Sequence, residues 1–324
     1  MSGRYPSMLL PFQLFPAFRC AADTPWGGHM LKSLFGKEIP DDCTGESLEM
    51  SVIPGLDSTD KNGIALRALI ERDRISMLGT SVEGSFPLLL KLIDAREQLS
   101  VQVHPDDRYA RLHENKSGKA EAWVILKACP DSSIVYGLNP GVSKSVLSSC
   151  LENDNDISDL LHTVPVKEKD VFYIPPGTVH AIGKGIVLYE IQQSSDITYR
   201  LYDWKRTDIS GNRRPLHIRQ ALDVTVPDFS MEAVVPVRLQ DPTCQRELLV
   251  KNRYFTLQRL LYCRKTTFYP LFSHFAVLTA LSRTMLQQKG SDTSLVLYPG
   301  QTLFIPAACE PFDISCEHCL LASP

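Results

Sequence analysis

No stretch of this chain approaches the roughly 18–20 consecutive apolar residues that a membrane-crossing helix needs, so none is expected to span a bilayer. A basic excess is missing too: 34 Lys and Arg stand against 37 Asp and Glu, for a formal charge of −3. Nucleic-acid binders carry a basic patch or balance, and that class is set aside. A disulfide framework is also absent. The nine cysteines are odd in number and irregularly spaced, which fits a reducing cytoplasm. The one CxxC, Cys316-Glu317-His318-Cys319, has no second pair to complete a zinc site and lacks the βα setting of a redox pair. It is read as two free thiols in or beside a strand. A secretory leader is not expected either. Arg4 precedes the apolar segment from Met8 to Pro16, but two prolines and Gln13 interrupt it and no small-x-small cleavage site follows. An edge strand that begins the fold is the better reading.

What is present supports a sizeable core. A chain of 324 residues at 44% hydrophobic content makes one large domain or two smaller ones. The 22 prolines and 18 glycines are spread out and act as turns. Residues 62–78 carry Leu66, Leu69, Ile70 and Met77 at helical spacing between Gly63 and Gly79. Residues 86–93 form a nearly continuous apolar run, read as a buried strand, and residues 99–103 alternate as a half-buried strand should. Asp106 is placed to cap a short helix through His113. Further strands are expected at 122–127, 134–136, 171–174 and 186–191. One or two short helices are expected within 143–163, the second with Ile157, Leu160 and Leu161 on its apolar side, and another helix at 219–226.

From about residue 235 short apolar segments alternate with turns: 255–262, 275–280, 294–297, 302–305, 312–314 and 319–322. That texture predicts a β-sandwich or barrel. A weak internal echo relates the two parts. Residues 169–175 and 299–306 both read as turn, strand, proline, but only the first runs on into Gly177-Thr178-Val179-His180.

Two histidines and a glutamate in distinctive settings carry the chemistry. His104 lies in Ser100-Val101-Gln102-Val103-His104-Pro105-Asp106, Glu121 in Gly118-Lys119-Ala120-Glu121, and His180 in Pro176-Gly177-Thr178-Val179-His180-Ala181. Gln102 and His104 are two apart on a predicted strand, so both side chains share one face. Imidazole nitrogens, a carboxylate and an amide oxygen suit zinc, and also manganese, cobalt or iron. A lone strand histidine is more often a hydrogen-bonded core or surface residue, and most glutamates are solvated. The combination outweighs those readings here. His29, His113, His162, His217, His274 and His318 have no comparable setting and are read as structural or surface residues. A polar run follows from Glu190 to Arg200. Arg200 has a fork suited to phosphate or an oxyanion, and Glu190 could serve as acid, base or metal-site neighbour. Ordinary strand and turn hydrogen bonds would equally account for this run.

These residues together resemble the type I mannose-6-phosphate isomerases in their shorter bacterial form. The resemblance runs from Pro25-Trp26-Gly27-Gly28 through Thr44-Gly45-Glu46-Ser47, Phe86-Pro87-Leu88-Leu89, Lys91-Leu92-Ile93-Asp94-Ala95 and residues 99–107. It continues over Gly118-Lys119, Glu121, residues 176–185 and 190–202. It implies a mainly β protein: a cupin (jelly-roll) β-sandwich with inserted helices over residues 1–234, and a second, smaller cupin-like β domain over 235–324. It implies one zinc ion per chain held by Gln102, His104, Glu121 and His180. Ser100, Lys119 and Arg200 match substrate- or phosphate-binding positions, and Arg200, Lys119, Glu190 and Asp196 match catalytic ones. Lys205 lies near a basic family position. Two departures stand out: Leu48 where the family usually has tryptophan, and Ala120 where a polar residue is common. The implied reaction interconverts mannose 6-phosphate and fructose 6-phosphate through an enediol(ate), on a small phosphosugar without nucleic acid or membrane. A metal-dependent cupin oxygenase would more often use three histidines. A non-catalytic sugar-binding or regulatory cupin would not require an open metal site, and a metal-binding cupin acting on another phosphosugar is the remaining alternative.

Overall fold

A computed structural model describes residues 9–207, 210–227, 232–289 and 294–324, so Arg4 and Met8 lie outside the described residues. Two antiparallel sheets face each other as a sandwich. In one, the strands run Val171–Ile174, Glu121–Ala128, Ile186–Gln193, Leu88–Ala95, Glu46–Met50, Ala17–Arg19. In the other, the order is Leu161–Pro165, Ser133–Leu138, His180–Ile182, Val101–Val103, Tyr199–Tyr202. A third sheet is built from residues beyond 236 together with one N-terminal strand, Phe12–Leu14, which pairs at its edge with Thr302–Ile305. The expected edge strand is therefore present, and it closes a sheet made of the far end of the chain.

The first sheet is buried on both faces, which is why its strands read as apolar runs rather than alternating ones. Leu88, Leu90, Leu92, Ala122, Val124, Tyr189 and Ile191 point away from the sandwich and pack with Phe255, Phe275 and Phe304 of the third sheet. Ile93, Trp123, Ile125 and Leu188 point the other way and pack with Ile134, Tyr136 and Ile182 of the facing sheet. Period-2 alternation then puts Lys91, Glu121 and Glu190 on that same inward face. Helices cover the outside of the five-stranded sheet, burying Ala110, Leu147, Leu151 and Ala221.

Several expectations shift in detail. The helical pattern of residues 62–78 forms two helices, Leu66–Arg72 and Arg74–Leu78, because Asp73 leaves helical geometry and its side chain caps the second by accepting from Ser76 N. Helix Lys144–Glu152 forms as expected, but the second is only a 3-10 turn at Ser158–Leu160, and Leu161 starts a strand that pairs with Ser133–Leu138. The segments 312–314 and 319–322 join in one strand, Phe312–Ser323, which crosses beside Thr256–Phe268 over its whole length. Asp106 does cap helix Asp107–Glu114, accepting from Tyr109 N at 2.8 Å.

A buried ion pair ties the sandwich to the third sheet. Lys37 Nζ donates to Glu49 Oε1 and Oε2 at 2.6 and 2.7 Å and to the Gly300 carbonyl at 2.7 Å. Ser47 and Thr302 donate to the same carboxylate. Gly300 has φ +82°, and a Cβ there would stand 2.6 Å from Phe35, so the turn that offers this carbonyl requires glycine. Lys37→Met leaves an uncompensated buried carboxylate and should cost about 3–5 kcal/mol, read as a lower urea midpoint. A loss under about 1 kcal/mol would show that the pair contributes no more than a surface one.

Candidate metal centre and polar cavity

The metal-type residues meet at one point. His104, Glu121 and His180 offer ligand atoms that all lie within 4.8 Å of one another, and the three are at most 1% exposed. Glu121 Oε1 stands 3.3 Å from His180 Nε2, and Oε2 3.4 Å from His104 Nε2. The chain brings them together in two ways. His180 opens strand His180–Ile182 directly opposite Gln102, and side chains opposite in an antiparallel pair share a face. Glu121 opens its own strand on the facing sheet.

The protonation pattern fits a metal ion. The His180 Nδ1 lies 2.8 Å from the Thr178 carbonyl. A carbonyl only accepts, so Nδ1 carries the proton and Nε2 presents a lone pair. That Nε2 has no hydrogen-bond partner, and neither Glu121 oxygen accepts a hydrogen bond. Lys119 Nζ lies 2.7 Å from Glu121 Oε2 as an ion pair, outside hydrogen-bonding angles. The same ammonium is 2.9 Å from His104 Nε2; an ammonium only donates, so that nitrogen is unprotonated and accepts from Lys119. Burial, and then the Lys119 charge, push His104 down to about 3. Burial also lowers His180. Glu121 is held well below the ordinary carboxylate range: burial alone would raise it, but Lys119 and the two imidazoles outweigh that. Two neutral imidazoles and an ionised carboxylate, all dry, with His180 Nε2 and both Glu121 oxygens unpartnered, are a ready donor set for a divalent cation.

A cavity of about 270 Å³ opens above this centre. Ser100, Gln102, Lys119, Glu190, Asp196 and Arg200 all line it, so every expected substrate-side residue reaches one space. Lys119 touches both the cavity and the triad. Glu190 accepts from Trp123 Nε1 at 2.9 Å and lies 3.4 Å from Lys91 Nζ. Burial, and then the nearby Glu121 charge, push its carboxyl up, with Lys91 opposing. Asp196 sits at the rim, half exposed, in a 2.7 Å ion pair with Lys116. Arg200 Nε donates to Ser100 Oγ at 3.3 Å, and a second nitrogen donates to the Pro215 carbonyl. Beside it, Arg214 and Arg206 both grip Asp203. Burial would raise the Asp203 carboxyl, but hydrogen bonds from Arg214 and Arg206, and their charges, hold it below its ordinary value.

The expected residue list did not include Lys91, Glu46, Arg19 or Arg214, which also line the cavity. Lys91 bridges Glu46 and Glu190 at 3.3 and 3.4 Å. A lysine in the middle of the apolar run 88–93 was the available signal. Arg214 had none, because it comes from a loop far along the chain. Of the two departures, Leu48 is fully buried in the sheet opposite Lys91, and Ala120 is held by its backbone to Gln193.

Comparison with known proteins agrees with this architecture. A family model for the phosphomannose isomerase type I catalytic domain matches residues 14–134. The mannose-6-phosphate isomerase of Streptococcus mutans is 40% identical over 237 residues, 72% of this chain and 74% of that protein. The Bacillus subtilis mannose-6-phosphate isomerase ManA is 44% identical over 204 residues, 61% of this chain and 64% of that protein. A crystal structure of the mannose 6-phosphate isomerase from Bacillus subtilis superposes with a TM-score of 0.88 at 31% identity, covering 98% of this chain and all of that one. The sandwich is thus the expected cupin-type jelly roll. With 40% identity sustained over 74% of a relative and the same fold throughout, the chain belongs to the type I mannose-6-phosphate isomerase family.

Proposed function

We propose that this chain is a zinc-dependent aldose–ketose isomerase that interconverts D-mannose 6-phosphate and D-fructose 6-phosphate through an enediol(ate), working in the cytoplasm. The observation that carries this reading is a buried pair of imidazole lone pairs and an ionised carboxylate beneath a cavity lined by lysines and arginines. Gln102, His104, Glu121 and His180 would hold one zinc ion, Gln102 through its amide oxygen. When bound, zinc supplies Lewis-acid polarisation of the sugar oxygens that gain charge.

The rest falls to the protein's own groups. Arg200 and Ser100 are assigned to the phosphate, with Arg214 beside them. Three guanidiniums, Arg200, Arg206 and Arg214, surround the single carboxylate of Asp203, leaving an excess of two positive charges for a dianion. Anchoring the phosphate there positions the reacting end and supplies binding energy to it. Glu190 is assigned the proton transfer: it takes the proton from C2 of the opened aldose and returns it to C1, while the O2 hydroxyl proton passes to O1. Its raised pKa brings it nearer the working pH, where proton transfer is most effective. Lys119, a fixed cation in a dry site, is assigned to stabilising charge on the enediolate oxygen. Asp196, paired with Lys116 at the rim, is assigned to orienting the sugar hydroxyls. The two-domain division at residues 1–234 and 235–324 is kept as part of this proposal, with catalysis confined to the first.

The direct test is turnover of mannose 6-phosphate by protein stripped with a chelator and reloaded. Activity should vanish on stripping and return with zinc. A folded, zinc-loaded protein without turnover would overturn the substrate assignment while leaving the metal centre standing. Arg214→Gln should raise KM about tenfold at nearly constant kcat, since a hydrogen bond to a charged group is worth about 1.5–3 kcal/mol. An unchanged KM would remove Arg214 from the phosphate end.

A further inference from the structure

A second cavity, of about 470 Å³, opens between the sandwich and the third sheet. Its walls come from the far end of the strand that Glu121 begins, from the turn before Val171, and from strands Thr256–Phe268 and Phe312–Ser323. Lys127, Lys169 and Arg259 bring positive charge to it, and Glu168 alone among its lining residues is acidic. Phe35 and Leu281 contribute apolar wall. The two cavities share no lining residue, and the seventh residue of the Glu121 strand, Lys127, lies roughly 20 Å from its first at the rise of an extended chain, so this space is separate from the first cavity.

Two lining residues carry unexplained buried nitrogens. Arg259 is 4% exposed. Its fork is spent on Glu247, at 3.1 Å, and on the Lys169 carbonyl, at 2.8 Å, and its Nε has no hydrogen-bond partner. His318 Nε2 is likewise buried and unpartnered. His318 is the histidine inside the CxxC, whose two cysteines are buried free thiols, so neither the metal centre nor a disulfide accounts for it. Native structures leave few such groups unsatisfied, and each calls for an explanation.

We propose that this inter-sheet cavity binds a small phosphomonoester, distinct from the sugar phosphate of the active site. A planar carboxylate is best met by a flat guanidinium fork, and the Arg259 fork is already occupied. Separate donors on Lys127, Lys169, Arg259 and His318 suit a tetrahedral, dianionic group instead. Burial, and then Arg259 and Lys169, push the His318 ring down to about 4, so it meets the cavity as a neutral imidazole. Sites of this size commonly lie where two structural units meet.

The test is calorimetric titration with inorganic phosphate, using intact zinc-loaded protein. In an Arg200→Gln background, which weakens the active-site anion pocket, one phosphate-binding event should remain. Adding Lys169→Asn with His318→Phe should weaken that event at least tenfold. Lys169 is exposed with φ +75°, a conformation asparagine accepts, so this change spares the fold. In the wild-type background the same pair should leave isomerase turnover without added phosphate within twofold. Binding that disappears with Arg200→Gln alone, or that ignores the Lys169 and His318 changes, would overturn the site. Tighter binding of citrate than of phosphate in the Arg200→Gln background would overturn the phosphomonoester assignment. None of these outcomes depends on which hexose phosphate the active site turns over.

Discussion

Replacing His180 by alanine should remove the metal and the turnover together. His180 is one of only two imidazoles at the centre, and its Nε2 faces Glu121 in a space with no exposed surface. Loss of an outer-shell partner alone typically costs 10–100-fold in metal affinity, so loss of a direct ligand should cost at least 100-fold. Metal per chain, measured by plasma mass spectrometry after dialysis, should fall from about one to near zero, and mannose 6-phosphate isomerisation should become undetectable. The variant should still fold, because the ring's aromatic neighbour Trp123 is held by Glu190 and by its own strand. His104→Ala should behave in the same way. A variant that kept both a bound ion and its activity would refute the centre.

Glu190→Gln should lower kcat by about 10²–10⁴, the usual worth of a positioned acid–base group, while leaving KM within a few fold. The change is nearly isosteric. The glutamine oxygen can still accept from Trp123 Nε1, and Lys91 keeps its partner Glu46. Packing and the Lys91–Glu46 pair therefore survive, while the carboxylate charge and its proton-carrying function are removed. The low-pH limb of the kcat profile should also change, since the raised Glu190 pKa is assigned to it. If kcat stays within tenfold and the profile keeps its shape, Glu190 is a positioning residue and the proton carrier is another group.

Much of the candidate centre is legible in local pattern. Gln102 and His104 were placed on one face by strand periodicity, and the structure puts Gln102 opposite His180. The Asp106 cap and the strands around residues 121, 171 and 186 followed from propensity and turn chemistry. Lys91 was harder, because its strand is buried on both faces. Leu90 and Leu92 fill the core toward the third sheet while Lys91 faces the cavity between them, so no apolar–polar alternation marked it as functional.

The amino-acid sequence alone therefore specified the candidate donors and, for Gln102 and His104, a shared face, since strand geometry repeats every two residues whatever the fold. Tertiary structure decided what no local pattern encodes. It set the pairing of Phe12–Leu14 with Thr302–Ile305, the salt bridge from Lys37 to Glu49, and the arrival of Arg214 beside Arg200. It also set the inter-sheet cavity around Arg259 and His318. These contacts join positions from about a dozen to nearly three hundred residues apart, and no strand or helix period relates them, so only the packing of the sheets brings them together.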